Sequence, residues 1–260
     1  MHVISVPFFV GRFMDAFEVP QPAEVLEPDL PHDGVHYDTS RAAGPDDIGQ
    51  QRMAVLYAEL ATRVAASSPT VVYAGDCLSV IGTLAGLQRK GIDPTLYWFD
   101  AHGDFNTWET TGSNFLGGMP LAMITGRGEQ TIVTATGMSP LADENIVLVD
   151  GRDLDPGEDE AIAASSMTVK SVEQVAVDEP RPGPIYVHVD VDVADPADLP
   201  AINYPAPDGP SADSVRAAID RLAGSGRVVA ASVSSWNPAL PEAARAASTT
   251  RSMMGAFLDQ

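Results

Sequence analysis

Short apolar runs of strand length alternate with amphipathic stretches of helix length, and this alternation limits the fold of the chain most strongly. The predicted strands cover residues 3–10, 70–75, 94–100, 145–153, 184–192 and 227–235. The predicted helices cover residues 46–67, 78–91, part of 114–126, 155–164, 211–223 and 241–258. Strands that are apolar throughout and joined by helices form a parallel sheet covered on both faces. The pattern therefore predicts an α/β fold with a mostly parallel sheet.

The organisation of the chain indicates one domain over residues 1–260, because it shows no internal repeat, low-complexity segment or clear linker. Residues 20–45 are rich in Pro, Asp and Gly and are predicted to form a long loop. The N-terminal segment "MHVISVPFFVGRF" lacks a basic region and a cleavage site, so it is predicted to be a first core strand rather than a signal peptide.

Composition excludes several classes of partner. A formal net charge of −21 repels phosphate backbones and anionic headgroups, so neither nucleic acid nor membrane is expected as a partner. No apolar run reaches the ~18 residues that a membrane-spanning helix needs. The only cysteine, Cys77, cannot form an intramolecular disulfide, which fits a reducing compartment. A cytoplasmic location is therefore expected.

Acidic side chains cluster where two of the predicted strands end. Asp100, His102 and Asp104 follow one strand at alternate positions, and Asp190 and Asp192 end another. Side chains at i and i+2 of an extended segment point to the same side. Ligands of parallel α/β sheets bind beyond the carboxyl ends of the strands. We therefore expect these carboxylates and the imidazole to converge.

Carboxylates at close range cannot all stay ionised without a cation. Oxygen-rich ligands with one imidazole favour Mn²⁺ over Zn²⁺, and two ions ~3.5–4 Å apart can position a hydroxide that attacks a planar carbon. Either motif alone would more simply be a turn, a helix cap or a solvated loop. Their occurrence together on neighbouring strands favours a two-metal site.

At these residues the chain resembles the ureohydrolase family, which includes arginase and agmatinase. The family signatures are Gly-Gly-Asp-His, Asp-Ala-His-X-Asp and Asp-X-Asp-X-X-Asp-Pro. The matching segments here are "AGDCLSVIG" (74–82), "DAHGDFNT" (100–107) and "DVDVADPADLPA" (190–201). The resemblance implies a three-layer α/β/α sandwich, a cytoplasmic hydrolase of linear amidines, and a homo-oligomer as one assembly state.

The resemblance also implies a set of metal ligands. Two Mn²⁺ ions would be held by Asp100, His102, Asp104, Asp190 and Asp192, with Cys77 at the position of a histidine ligand of the family. In the implied reaction the guanidino carbon is attacked and a urea-type product leaves. Asp104 is the candidate proton acceptor, and Cys77 is the second candidate catalytic residue.

Further matches concern the residues that hold the amino-acid end of the substrate in arginases. They are Asn106, Ser113 and, more weakly, Thr111 for the α-carboxylate, and Asp155 for the α-amino group, with Asp153 and Glu158 beside it. These matches favour a guanidino amino acid over agmatine, which has no carboxylate. Ordinary loop hydrogen bonding is the alternative for Asn106, Thr111 and Ser113.

Three positions depart from the family pattern. Cys77 replaces a histidine ligand, Gly117 stands where a catalytic-loop histidine is usual, and Ser235 stands where a glutamate pairs with the guanidinium group. A thiolate is softer than imidazole and prefers Zn²⁺ or Fe²⁺. Loss of the glutamate removes a hydrogen bond worth ~1.5–3 kcal/mol, and loss of the histidine lowers the rate by ~10²–10⁴-fold. Ordinary arginase activity is therefore predicted to be weak.

These departures leave alternatives open. The exchange of cysteine for histidine resembles the branch of the family that hydrolyses Nω-hydroxy-L-arginine, whose hydroxyguanidine is less basic than guanidine. Ser235 remains unexplained by this hypothesis. The second hypothesis is a degenerate, non-catalytic protein that acts as a binder or partner subunit, although a carboxylate cluster is costly to keep without a metal. A third is hydrolysis of another C–N bond, such as a formimino group or an amide.

Overall fold

The computed structural model describes residues 1–14, 17, 19, 22–26, 48–67, 69–234 and 236–258. The strands are β1 (His2–Val6), β2 (Phe8–Phe9), β3 (Arg12–Phe13), β4 (Glu24–Val25), β5 (Thr70–Ala74), β6 (Thr95–Asp100), β7 (Ile146–Asp150), β8 (Thr168–Lys170), β9 (Ile185–Asp190) and β10 (Val228–Ser234). The helices are α1 (Ile48–Ala66), α2 (Ser79–Gln88), α3 (Pro120–Ile124), α4 (Thr131–Thr136), α5 (Glu158–Ala164), α6 (Val172–Val177), α7 (Ala212–Ala223), α8 (Ala243–Met253) and α9 (Gly255–Leu258). Short 3-10 helices cover Leu116–Gly118, Asp143–Asn145 and Val191–Val193.

The centre of the fold is an eight-stranded sheet with the strand order β4-β1-β5-β10-β9-β6-β7-β8. Every neighbouring pair in this sheet is parallel. All residues of β5, β6 and β9 are buried, as expected for strands with helices on both faces. The predicted α/β/α sandwich with a mostly parallel sheet is confirmed.

The helices form two packed groups. Helices α1, α2 and α4 contact one another, and α7 contacts α6, α8 and α9. The longest helices follow the apolar spacing of their sequences: α7 buries Val215, Ile219 and Leu222 on one face. Ser211 caps α7 by accepting a hydrogen bond from the backbone N–H of Ser214, at 3.1 Å. No helix within the described ranges is long and apolar enough to cross a membrane.

The structure departs from the sequence predictions in several places. The predicted strand 3–10 is interrupted: β1 ends at Val6 because Pro7 has no N–H for the ladder, and β2 pairs instead with β3 in an antiparallel hairpin. Most of the predicted loop 20–45 lies outside the described residues, but Glu24–Val25 forms an edge strand beside β1. Strand β8 and helices α4 and α6 lie in stretches for which no element is predicted.

The topology gathers several loops at one edge of the sheet. Strands β6 and β9 are direct neighbours, which confirms the prediction that their acidic carboxyl ends meet. Strand β10 pairs with β9 so that Ser234 lies opposite Asp190, and β5 is the next strand beyond β10. The segments after β5, β6, β7 and β9 therefore open on the same side of the sheet.

Candidate metal centre and substrate pocket

A pocket of about 470 Å³ lies at this carboxyl edge of the sheet. Its walls contain all six metal-ligand candidates, namely Cys77, Asp100, His102, Asp104, Asp190 and Asp192. Asn106, Ser113, Asp153, Asp155 and Glu158 line it as well. The volume is in the range of small-molecule sites in proteins.

Two groups of three side chains in this pocket could each hold a cation. One group is Cys77, Asp100 and Asp104, and the other is Asp100, His102 and Asp192. Within each group the ligand atoms lie within 4.8 Å of one another. Because Asp100 belongs to both groups, its carboxylate lies between the two candidate positions.

The end of β6 fixes the orientation of Asp100. The Nε1–H of Trp98 donates to Oδ2 of Asp100 at 3.0 Å, and the backbone N–H of His102 donates to Oδ1 at 2.7 Å. Further along, Asp104 has a positive φ of 48°, and its carbonyl accepts from the backbone N–H groups at the start of α3. This turn directs the Asp104 side chain back into the pocket instead of continuing the strand.

The end of β9 is organised by its own carboxylate. Oδ1 of Asp190 accepts from the backbone N–H of Asp192 at 3.0 Å and so caps the 3-10 helix Val191–Val193. Oδ1 of Asp192 accepts from the backbone N–H of Ala101 at 3.2 Å. This bond ties the β9 loop to the β6 loop. The two acidic motifs are thus joined directly.

The segment after β5 places the thiol of Cys77 against this cluster. Its Sγ donates to Oδ2 of Asp190 at 2.8 Å and lies 3.1 Å from Oγ of Ser234. The preceding Asp76 is buried and accepts from the N–H of Val10 at 2.6 Å and from the hydroxyl of Tyr57 at 2.7 Å. Asp76 therefore anchors the β5 turn to the N-terminal hairpin and to α1.

The electrostatics of the pocket are those of crowded acids. Burial raises the pKa of Asp104 well above its usual range, and the neighbouring charge of Asp100 adds to this. Burial likewise raises the pKa of Asp192 to about 6 and the pKa of Cys77 well above its usual value. Burial lowers the pKa of His102, but hydrogen bonds to Asp100 and Asp192 and their charges outweigh it and raise the pKa to about 12. A cation would relieve this crowding, so the donor set fits bound metal ions.

Residues predicted for substrate binding lie on the β7 side of the pocket. Nδ2 of Asn106 donates to Oδ2 of Asp155 at 3.0 Å, which brings these two predicted contacts together. Ser113 is exposed and lines the pocket, with its Oγ 3.3 Å from Oγ1 of Thr111. Thr111 supports the loop by accepting from the backbone N–H of Asn114 at 3.1 Å. Thr111 therefore lies behind Ser113, whereas Asn106, Ser113 and Asp155 face the pocket.

Glu158 connects two loops of the site, whereas the sequence indicates only that it lies near Asp155. Its buried carboxylate accepts from the backbone N–H of Phe105 at 2.8 Å and from that of Asp155 at 3.0 Å. A Cβ atom on Gly103 would lie 2.5 Å from Cδ of Glu158, so the loop after β6 passes directly over this side chain. Glu158 thus holds the β6 and β7 loops together.

The structure explains the departure from the family pattern at position 117 but does not describe position 235. A Cβ atom on Gly117 would overlap the ring of Phe115, so this ring fills the space that a side chain at 117 would need. The Phe115 ring packs 6.1 Å from that of Phe9 and 5.3 Å from that of Tyr204, and all three line the pocket. This aromatic wall joins distant segments of the chain, so no local pattern indicates it. Ser235 lies outside the described residues.

Fold and site together define an α/β protein with a carboxylate-rich candidate metal centre at the carboxyl edge of a parallel sheet. The sequence model of the Arginase family matches residues 31–258. The chain therefore belongs to the arginase family.

Two relatives agree with this assignment. An arginase of Bacillus subtilis (strain 168) is 32% identical over 183 residues, which are 65% of this chain and 62% of that protein. An N(omega)-hydroxy-L-arginine amidinohydrolase of Streptomyces lavendulae is 34% identical over 157 residues, which are 59% of this chain and 55% of that protein. The chain thus spans less than two thirds of either relative.

A solved structure supports the fold over the full chain. The native arginase of Bacillus caldovelox at pH 5.6 superposes with a TM-score of 0.81. The match covers 100% of this chain and 98% of that chain at 25% sequence identity. The similarity in three dimensions therefore extends beyond the segments in which sequence identity is found.

Proposed function

We propose that this chain is a binuclear-metal hydrolase that cleaves a non-peptide C–N bond of a guanidino or hydroxyguanidino amino acid and releases a urea-type product. The observation that carries the proposal is the pair of overlapping ligand groups that share Asp100. The same pocket presents Asn106 and Asp155, which suit the polar groups of an amino acid.

Six side chains would hold the metal ions: Cys77, Asp100, His102, Asp104, Asp190 and Asp192. Their hard oxygen donors and single imidazole suit Mn²⁺, while the thiol makes one position softer. When bound, two ions would supply a Lewis acid and a nucleophile at neutral pH. Metal binding requires the thiol and the imidazole to lose their protons, so the affinity for metal falls as the pH falls.

Asp104 is the group proposed to accept a proton during hydrolysis. Its carboxylate is buried in the pocket, and burial with the charge of Asp100 raises its pKa well above that of a free aspartate. This shift belongs to the metal-free pocket and bound cations would lower it, so the proton-accepting role rests on the position of the carboxylate among the candidate metal ligands. The turn at Asp104, bonded through its carbonyl to the start of α3, keeps this group in place.

The amino-acid end of the substrate is proposed to bind between the β6 and β7 loops. Asp155 is an exposed carboxylate at the pocket wall and suits the α-ammonium group. Ser113 offers a hydroxyl to the α-carboxylate, with Thr111 supporting Ser113. The NH₂ group of Asn106 donates to Asp155 and Glu158, so it reaches the α-carboxylate only when one of these two bonds is released. Because Glu158 ties both loops together, the distance between these groups is set before substrate arrives.

The test is metal content and turnover on the same sample. Protein loaded with Mn²⁺ is analysed for bound metal, and product is assayed with L-arginine and with Nω-hydroxy-L-arginine. Two ions per chain and release of urea or hydroxyurea are expected, with the hydroxylated substrate preferred. A folded, metal-loaded chain that hydrolyses neither compound would contradict the proposal and would favour a non-catalytic binder. One that hydrolyses only a formimino compound or an amide would redirect the substrate assignment.

A further inference from the structure

The NH₂ end of one side-chain amide on the pocket wall has no hydrogen-bond acceptor among the described residues. Nδ2 of Asn203 is buried and has no partner among the residues that the structure describes. Asn203 lines the pocket between Ile202 and Tyr204. A buried N–H without an acceptor destabilises a fold, and such a group in a binding pocket calls for an explanation.

The orientation of this amide follows from its neighbours. The backbone N–H of Ala239 donates to Oδ1 of Asn237 at 2.8 Å, so the other end of the Asn237 amide must be its NH₂ group. That NH₂ group donates to Oδ1 of Asn203 at 2.8 Å. Oδ1 of Asn203 is therefore the accepting end, and Nδ2 is the end that remains.

The backbone around Asn203 is held as well. The N–H of Asn237 donates to the carbonyl of Ala201 at 2.7 Å, and Ile202 pairs with Trp236 in an isolated antiparallel bridge. Ala201 has a positive φ of 62°, which marks a sharp turn before the amide. These backbone contacts hold Asn203 against the segment that follows β10. Its side chain contacts that segment through Oδ1 and leaves Nδ2 unused.

Asn203 lies across the metal-ligand candidates from the proposed amino-acid contacts. It is held to the segment that follows β10, whereas Asp155 follows β7, and β9 and β6 lie between these two strands. The wall next to Asn203 is aromatic, formed by Tyr204 and Phe115. No described residue, including these two aromatic residues, accepts a hydrogen bond from Nδ2 of Asn203. A ligand bound in the pocket can supply this acceptor.

The chemistry of the guanidino end decides what such a donor can bind. A guanidinium group carries N–H donors and no acceptor, so it cannot satisfy Nδ2 of Asn203. A hydroxyl on the terminal nitrogen brings an oxygen that can accept. We infer that Asn203 is a specificity-determining residue that donates Nδ2–H to this oxygen and so selects a hydroxyguanidine over a guanidine. This inference rests on the proposed hydrolase function.

Two variants of Asn203 test the inference. Asn203→Asp keeps the oxygen that binds Asn237 and replaces the N–H donor with an acceptor. Asn203→Leu removes both polar atoms at similar volume and serves if the aspartate variant fails to fold. Asn145→Asp, the same chemical change in a 3-10 helix whose residues do not line the pocket, is the matched control. Metal content and kcat/KM for Nω-hydroxy-L-arginine and L-arginine are measured for each protein.

The ratio of kcat/KM for the hydroxylated substrate to that for arginine is expected to fall about tenfold or more in Asn203→Asp, because a lost hydrogen bond leaves mismatched groups buried. The change should lie mainly in KM, with two ions still bound and with Asn145→Asp unchanged. An active wild type whose ratio stays within twofold in both Asn203 variants overturns this inference and leaves the hydrolase function standing. A metal-loaded wild type that turns over neither substrate overturns both.

Discussion

The two ligand groups share Asp100 but sit in different surroundings. Cys77 and Asp104 complete one group, and all three of its side chains are buried. His102 and Asp192 complete the other, where the His102 side chain is 28% exposed and its Nδ1 lies 3.1 Å from Oδ2 of Asp192. One position therefore has a thiol in a dry setting, and the other has an imidazole near water.

Because of this difference, a metal ion displaces a different proton and meets a different ligand at each of the two positions. Burial and the charges of Asp190 and Asp104 raise the pKa of Cys77, so a cation must displace a tightly held thiol proton. The imidazolium proton of His102 is also tightly held, because Asp100 and Asp192 raise its pKa to about 12. The two positions therefore differ mainly in the ligand itself, since imidazole is harder than a thiolate and suits Mn²⁺ better. We expect the imidazole group to bind Mn²⁺ more tightly than the thiol group.

Removing the shared ligand should have the largest effect, because it breaks both groups together. Asp100→Asn is expected to lose both ions and to lower kcat/KM at least about a thousandfold, since Lewis-acid stabilisation contributes several kcal/mol. Elemental analysis and turnover measure this. Asp220→Asn, an exposed aspartate in an i,i+4 pair with Arg216, is the control and should keep both. Two retained ions in Asp100→Asn would rule out its shared role.

Removing an unshared ligand should separate the groups. Asp104→Asn is expected to lose the ion on the thiol side, and Asp192→Asn the ion on the imidazole side. Each variant should keep about one ion per chain and lose activity by ~10²–10⁴-fold, the usual range for a lost acid–base group, with Asp104→Asn the worse. Metal titration by calorimetry resolves the two sites. Identical metal loss in both variants would mean that the ions bind only as a pair.

A smaller effect is expected from the residue that orients the shared carboxylate. Trp98→Phe removes the Nε1–H bond to Asp100 but keeps an aromatic ring beside His188, whose ring centroid lies 4.3 Å away. Loss of such an outer partner lowers metal affinity by ~10–100-fold. Dissociation constants for Mn²⁺ measured by competition with a chelator provide the readout. Unchanged constants for both sites would show that Trp98 serves packing alone.

The smallest predicted effect concerns pH and two buried carboxyl groups, Asp192 of the imidazole group and Asp76, which precedes Cys77. Burial raises the pKa of Asp192 and of Asp76 to about 6. An acid whose pKa is raised by folding favours the folded state below its unfolded pKa and loses that contribution as the pH rises through its folded pKa. Ionisation of these two carboxyl groups should therefore lower the free energy of unfolding of the metal-free protein between pH 4 and pH 7. Mn²⁺ binding should improve over the same range.

Thermal unfolding with and without Mn²⁺ measures this. Stabilisation of ~2.7 kcal/mol is expected at one hundred times the dissociation constant, or ~5–10 °C in a chain of this size. The gap in Tm should be wider at pH 7.5 than at pH 5. An equal difference in Tm at pH 5 and pH 7.5 would show that metal binding does not depend on the ionisation of these carboxylates.

The sheet was predictable because its strands are apolar and uninterrupted. Strands β6 and β9 are buried on both faces, and their sequences show it directly. The predicted N-terminal strand is longer than β1 because Pro7 interrupts the strand. Helix α6 was missed although Ser171 and Gln174 form a capping box, a pattern that the sequence contains.

The candidate site was predictable only where its chemistry is local. Asp100, His102 and Asp104 stand at alternate positions, so their shared direction follows from strand geometry. Cys77 was placed by resemblance rather than by spacing. The aromatic wall and the amide of Asn203 depend on segments far apart in the chain, such as the approach of Phe9 to Phe115. Side-chain contacts of that kind arise from tertiary packing and leave no periodic signal.

The overlap between the Phe115 ring and position 117 makes the effect of a substitution at 117 depend on the residue at 115. A histidine introduced at Gly117 meets the Phe115 ring, so that single substitution requires the ring to leave its place beside Phe9 and Tyr204. Clearing the ring first, with Phe115→Ala, makes room for the second change. The two positions are thus epistatic: a side chain at 117 should cost less stability after Phe115→Ala than before it.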